Sequence, residues 1–473
     1  MSGRLSWLRE RGMGASILVA TITATFGVLL VEATAYIGLM LRADPFIGDS
    51  ETLAFVTSIL TVLLTAVAMY VAAIVTANTF STVIAGRARQ IALLRVIGAT
   101  ARSERERVAR QGFIVGLIGA ALGLALGLGG SALGVLAAER LLGGAPENAV
   151  VGHAGVLLPL MGVILTTGVA AHIGSRRVLT VTPLEAIGGA VERSRAETVR
   201  GRGRHIGVSL LLACGVALLV LGVLAGLVTP LGIVVAFVGG ILSFTAIALG
   251  ATVIMPPLLR LVGRALGKSA TARMAAENAL RYPERSSRMA IGVVMGVTLV
   301  TMFAVALESV KALIVAASGG VLEPQMAFIL DSFGTVMMVL VGVCAVIAGV
   351  GLVNLLTVGI VQRRRELGLL RAVGLSNRQL RLLVLLEATH LIVTATLTGL
   401  ALGVVYGWIA AQSLLGSVTI YQEVGPPGLV IPHIPAGPLL VITAASALLT
   451  LVATIAPTRL ATRVTPVEAL AAV

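Results

Sequence analysis

Ten apolar runs, each of roughly 20 residues or more, restrict what this chain can become. They are Gly14 to Leu41, Leu53 to Ile84, Phe113 to Ala138, Gly155 to Ile173, Ile206 to Val228, Leu231 to Leu259, Met289 to Leu307, Phe333 to Val361, Leu382 to Leu415 and Ala436 to Ala456. A helix of that length crosses a hydrocarbon core of about 30 Å while satisfying its own backbone hydrogen bonds, as lipid requires. The mean hydropathy of +1.03, with only 12% charged residues, excludes an ordinary soluble domain. The expected fold class is all-α: a polytopic integral membrane protein with ten transmembrane helices. The first run follows Arg4, Arg9 and Arg11, but it is too long for the core of a signal peptide and is expected to remain as the first helix.

The net charge of +14 is a topology signal, because its distribution is one-sided. Arg and Lys gather at the N-terminus and in the segments Arg87 to Arg110, Arg176 to Arg204, Arg260 to Arg288 and Arg363 to Arg381, with Arg459 and Arg463 further on. These are alternate loops. The others carry mainly acids, such as Asp44, Asp49, Glu147, Glu323 and Asp331. The pattern predicts a multi-pass protein with both termini in the cytoplasm. Its basic loops would meet anionic lipid headgroups, and no nucleic acid is implied. Cys214 and Cys344 stand alone in apolar runs and the five histidines are scattered, so neither a disulfide framework nor a metal site is expected.

Within this pattern the chain repeats itself. Arg87 to Thr100 reads RARQIALLRVIGAT and Arg363 to Ser376 reads RRRELGLLRAVGLS, a shift of 276 residues. The shift pairs Arg87, Arg89, Leu93, Leu94, Arg95 and Gly98 with Arg363, Arg365, Leu369, Leu370, Arg371 and Gly374. It also pairs Thr25 with Thr301, Glu32 with Glu308, Gly123 with Gly399 and Gly127 with Gly403. Each copy ends on a second signature, Thr182-Pro183-Leu184-Glu185-Ala186 and Thr465-Pro466-Val467-Glu468-Ala469. The result is an internal duplication. Residues 1–190 form a first four-helix repeat, residues 191–265 a linker with the fifth and sixth helices, and residues 266–473 a second four-helix repeat. An offset of six helices makes the repeats parallel rather than inverted.

Local signals shape the connectors. Gly374 suits a left-handed helix end, and Ser376 with Gln379 forms a capping box that starts the next helix. Thr100 repeats the cap, with Ser103 in place of the box residue. Gly119, Gly123 and Gly127 give small-xxx-small spacing for close helix approach. Thr271 to Tyr282, before Pro283, reads as an amphipathic surface helix. Arg264 lies in GRALGKS, Gly263 to Ser269, which has three residues between its glycines where a P-loop needs four, so it is not read as a nucleotide site.

A duplicated four-helix unit, a connector of this type after its second helix and a TPxEA ending together resemble the FtsX-like permease family of ABC transporters. The 4+2+4 arrangement is similar to the ten-helix permeases of the bacitracin-resistance type. The chain departs from them in its short loops at Arg42 to Thr52 and Ser309 to Ser332, where family members usually carry a large extracytoplasmic domain. Gln90 stands where the second copy has the family-like Glu366.

The resemblance implies a non-catalytic permease subunit in a bacterial cytoplasmic membrane that binds no cofactor itself. ATP and Mg would sit on a partner ABC ATPase, two copies of which would dock on the two connectors, Arg87 to Gly98 and Arg363 to Gly374. The expected activity is export or extraction of a lipophilic or amphipathic substrate from the membrane. The alternative is a mechanotransmitting regulatory subunit that moves an extracytoplasmic partner without transport. Read from the residues alone, Glu32 and Glu308, with Thr25 and Thr301, are candidate intramembrane polar positions for substrate, against a simpler role as helix-end or interhelical hydrogen-bonding groups. Glu387 and His390, at i and i+3, suggest a local pair or a proton relay.

Overall fold

The computed structural model describes residues 13–42, 100–142, 152–175, 202–265, 269–281, 283–317, 373–417 and 429–441, with isolated positions in 59–70, at 334 and in 443–448. Nine α-helices occur among them: α1 (Met13–Arg42), α2 (Ala101–Leu142), α3 (Leu157–Gly174), α4 (Arg202–Gly226), α5 (Gly232–Leu249), α6 (Ala251–Ala265), α7 (Ala270–Arg281), α8 (Pro283–Ala317) and α9 (Asn377–Leu415). Seven helical spans among the described residues are long and apolar enough to cross a membrane. The second, eighth and tenth apolar runs lie wholly or largely outside the described residues. The described helices fall into two compact units, α1 to α3 and α4 to α9.

In the first unit, glycines set the distance between helices. Gly119 of α2 lies against Ala20 of α1, Gly123 against Ala24 and Gly127 against Val28, and an added Cβ at any of them would collide with the facing side chain. Positions advance together by four, so α1 and α2 run parallel in close contact. On its other side α2 meets α3 through Gly112 against Ala171 and Gly116 against Ile164 and Thr167. Here the numbers run in opposite directions, and the pair is antiparallel. Ala20, Ala24, Val28, Val115, Ala120 and Val163 form the buried centre.

In the second unit, α8 and α9 repeat the device: Gly399 lies against Val297, Gly403 against Thr301 and Gly407 against Val305. Pro283, which has no N–H to leave unbonded, opens α8. Helices α4 and α5 form an antiparallel hairpin in which Gly215 meets Ser243 and Gly222 meets Ala236. That hairpin is packed on α9. Gly226 touches Ser413, and the hydroxyls of Ser243 and Tyr406 share a buried hydrogen bond of 2.9 Å.

The sixth apolar run is not one helix. It breaks at Gly250, where the backbone leaves helical geometry (φ −85°, ψ 1°); the Gly250 N–H still makes its i−4 bond to Ala246, and the Val253 N–H then reaches the Gly250 carbonyl in a tighter i−3 bond. A Cβ at Gly250 would come within 2.9 Å of the Ala246 carbonyl oxygen and 2.8 Å of Val208 Cγ1, so a side chain there would force its neighbours to shift. Helix α6 then starts afresh with Pro256 and Pro257 inside it. The surface helix expected over Thr271 to Tyr282 is present as α7, with Ala275 and Ala279 buried and Arg273, Glu277 and Arg281 exposed.

Candidate functional site

Most of the connector residues lie outside the described residues: Arg87, Arg89, Leu93, Leu94, Arg95, Gly98, Arg363, Arg365, Glu366, Leu369, Leu370 and Arg371. So do both TPxEA segments. What the structure describes is how each connector hands over to the helix after it. Gly374 has φ +111°, the left-handed corner that its sequence position suggests. Two residues later the capping box is complete: the Gln379 N–H donates to Ser376 Oγ (3.2 Å) and the Ser376 N–H donates to Gln379 Oε1 (3.0 Å). In the other half, the Ser103 N–H donates to Thr100 Oγ1 at 3.1 Å.

The helices that these caps start are unusually long. Helix α2 has 42 residues and α9 has 39. At 1.5 Å per residue they extend about 63 and 58 Å, roughly twice a hydrocarbon core. Each is therefore a continuous rod from its connector through the apolar layer. Near its start α2 is also tied sideways, since Arg105 Nη2 donates to His172 Nε2 of α3 at 2.7 Å. Neither residue was signalled by the sequence, because 67 positions separate them.

Glu32 sits near the far end of α1 and is 5% exposed. Its Oε1 accepts the Gly152 N–H at 2.9 Å, with His153 Nδ1 at 3.3 Å. The carboxylate thus pins the residues that lead into α3, and Gly152 takes φ +94° to present its N–H. Thr25, two turns earlier on the same face, donates to the carbonyl of Thr21 at 2.9 Å.

The second unit does not place Glu308 in the same way: it is exposed. The reason is register. Relative to the 276-residue shift of the glycines, the facing partners advance by only 273, from Ala24 to Val297 and from Val28 to Thr301. The buried Val305, rather than Glu308, then stands at the level of Glu32. Thr301 is buried directly beneath Gly403. Ser309, the neighbour of Glu308, performs the tethering instead: its buried hydroxyl accepts the His433 N–H at 3.0 Å and donates to the Val305 carbonyl at 2.7 Å.

A second strap closes the same end of this unit. Trp408 Nε1 donates to the Val430 carbonyl (2.9 Å), and the Val430 N–H donates to Gln412 Oε1 (2.6 Å). A Trp and a Gln inside an otherwise apolar run were the available signal. At the opposite end His390 is fully buried, and its Nε2 donates to the carbonyl of Leu259 on α6 at 2.7 Å. It is a bond between helices, and Glu387, one turn earlier on α9, also acts on the ring electrostatically. Gly263 lies within α6 against His390 and Ala276, so the glycine of GRALGKS is a helix packing position and not part of a phosphate loop. Among the described residues no cluster of three or more His, Cys, Asp or Glu is arranged to hold a metal ion.

Long apolar rods, glycine-spaced helix pairs and polar straps at the helix ends define a multi-pass helical membrane protein. The sequence model of the FtsX-like permease C-terminal family matches residues 62–183 and again residues 338–466, together more than half of the chain. The chain belongs to the FtsX-like permease family. A stretch of 107 residues is also 31% identical to the macrolide export ATP-binding/permease protein MacB of Rhodopirellula baltica. It covers 21% of this chain and only 16% of the length of that protein. Permeases of this family are generally non-catalytic membrane subunits that work with an ABC ATPase.

Proposed function

We propose that this chain is the permease subunit of an ABC transporter in a bacterial cytoplasmic membrane, with both termini in the cytoplasm. ATP and Mg are bound and turned over by a partner ATPase. The observation that carries this reading is the double family match, with one copy of the connector sequence inside each matched segment. Two connectors per chain call for two ATPase contacts per chain. Closure of the ATPases on ATP would press on Arg87 to Gly98 and on Arg363 to Gly374. The rods α2 and α9 would carry that push into the membrane, because a capped helix transmits displacement along its axis without bending at its start.

The cargo is a lipophilic or amphipathic molecule taken from the bilayer. The short outer segments after α1 and α8, which leave at most residues 43–52 and 318–332 as loop, support this over a grip on a soluble extracytoplasmic ligand. Purification of the tagged chain from its native membrane tests the assignment. An ABC ATPase should copurify at two copies per chain, and the reconstituted complex should show ATPase activity that rises with an amphipathic substrate. Purification without an ATPase, or activity indifferent to every amphiphile, would count against it.

A further inference from the structure

The cytoplasmic boundary of the second unit carries a feature that coupling does not require. The contacts of Gly399 with Val297 and of Gly403 with Thr301 place each α8 residue level with the α9 residue 102 positions later. Ser287 of α8 is thus level with position 389 of α9, next to His390. These two residues hold α6 at different points: Ser287 Oγ donates to the Ala251 carbonyl at 2.9 Å, and His390 Nε2 donates to the Leu259 carbonyl at 2.7 Å. The two carbonyls are about 12 Å apart along α6, comparable with the separation of two packed helix axes at about 8 to 10 Å. Anchors at equal height and that far apart require α6 to lie across α8 and α9, not alongside them.

Its depth follows from α5. That helix has 18 residues, about 27 Å, and spans the apolar layer by itself before the corner at Gly250. Helix α6 therefore lies transverse at the membrane boundary. One face, with Met255, Leu259 and Val262, is buried in the unit. The other exposes Val253 (50%) and Leu261 (69%) beside Arg260 and Arg264. The two guanidinium groups are one turn apart on the same line of the helix, close enough to share one phosphate. Neither makes an ion pair among the described residues. Helix α7, held by the Ser286 Oγ bond to the Ala279 carbonyl (2.6 Å), adds exposed Arg273 and Arg281 against the single acid Glu277.

We propose that α6, supported by α7, is a binding site for the headgroup of an anionic phospholipid in the cytoplasmic leaflet. The inference rests on the membrane orientation proposed above. Interleaved apolar and guanidinium side chains on one exposed face match a boundary that offers acyl chain and phosphate together. Four arginines, Arg260, Arg264, Arg273 and Arg281, against Glu277 leave the two helices net positive, which favours anionic over zwitterionic lipid. An acidic surface of the ATPase is the competing occupant, and the exposed Leu261 and Val253 favour lipid over it.

The test uses the full chain in phosphatidylcholine liposomes with a trace of photoactivatable phosphatidylglycerol or of the matching phosphatidylcholine probe, and labelled peptides are mapped. The phosphatidylglycerol probe should label residues 253–264 preferentially. That preference should fall by roughly tenfold in Arg260→Ala with Arg264→Ala, since two basic contacts are lost, and survive in the corresponding double Lys variant. Equal labelling by both probes, or a preference that survives the double Ala change, overturns the proposal. A double Ala variant that keeps its lipid preference but loses the ATPase also overturns it and assigns the face to docking. Labelling needs no ATPase, so its outcome is independent of the transport assignment.

Discussion

The carboxylate of Glu32 accepts the backbone N–H of Gly152 at 2.9 Å across 120 residues of sequence, and it does so while almost wholly buried. A buried acceptor of this kind stabilises chiefly because losing it leaves the N–H without a partner. Glu32→Ala should lower the thermal stability of the purified chain, at a cost of about 1 to 3 kcal/mol. Glu32→Gln keeps an oxygen in place and should lose much less. Thermal unfolding in detergent distinguishes the two; equal loss in both would mean that the charge, and not the tether, matters.

Glycine at the α1–α2 contact is a steric requirement and not a general preference. Gly123→Ala should destabilise the chain, since the new Cβ would collide with Ala24. Gly134→Ala, on the same helix with nothing within 4 Å, should be neutral or stabilising by up to about 1 kcal/mol through helix propensity. Comparing the two variants in one unfolding assay separates packing from propensity.

The hairpin of α4 and α5 is attached to α9 by the bond between Ser243 and Tyr406. Tyr406→Phe and Ser243→Ala should each cost about 0.5 to 1.5 kcal/mol. The double variant should cost less than their sum, because each already removes the shared bond. Strict additivity in this cycle would show that the hydroxyls do not act on one another.

The capping box controls the first turn of α9. Ser376→Ala should speed amide exchange at positions 377–380 by an amount equivalent to about 1 kcal/mol, without affecting the glycine-packed middle of the helix. Hydrogen exchange with peptide-level resolution reads this directly. Unchanged exchange in the first turn would mean that the membrane, and not the cap, holds that end.

What the sequence could reveal depended on distance along the chain. The Ser376 and Gln379 box, the turn at Gly374 and α7 were legible because each is set by residues within one or two turns. The corner at Gly250 was hidden, since glycine is common in membrane helices and the apolar run passes through it unchanged. The links of Arg105 to His172, Glu32 to Gly152 and His390 to Leu259 had no local signature at all. The pairing of Glu32 with Glu308 illustrates a subtler limit. The 276-residue shift pairs the letters of Glu32 and Glu308, but a three-residue change in helix register, visible only in packing, puts Val305 at the level of Glu32.

In the proposed function, ATPase motion enters the membrane at the two connectors, Arg87 to Gly98 and Arg363 to Gly374. The most direct measurement is substrate-stimulated ATPase activity of the reconstituted complex carrying Arg95→Glu, Arg371→Glu or both. Each single reversal should cut the stimulation by about tenfold or more, by repelling the docking surface, and the double variant should lose it, while all three insert and fold as the parent does. Full stimulation in a correctly inserted double variant would contradict the account.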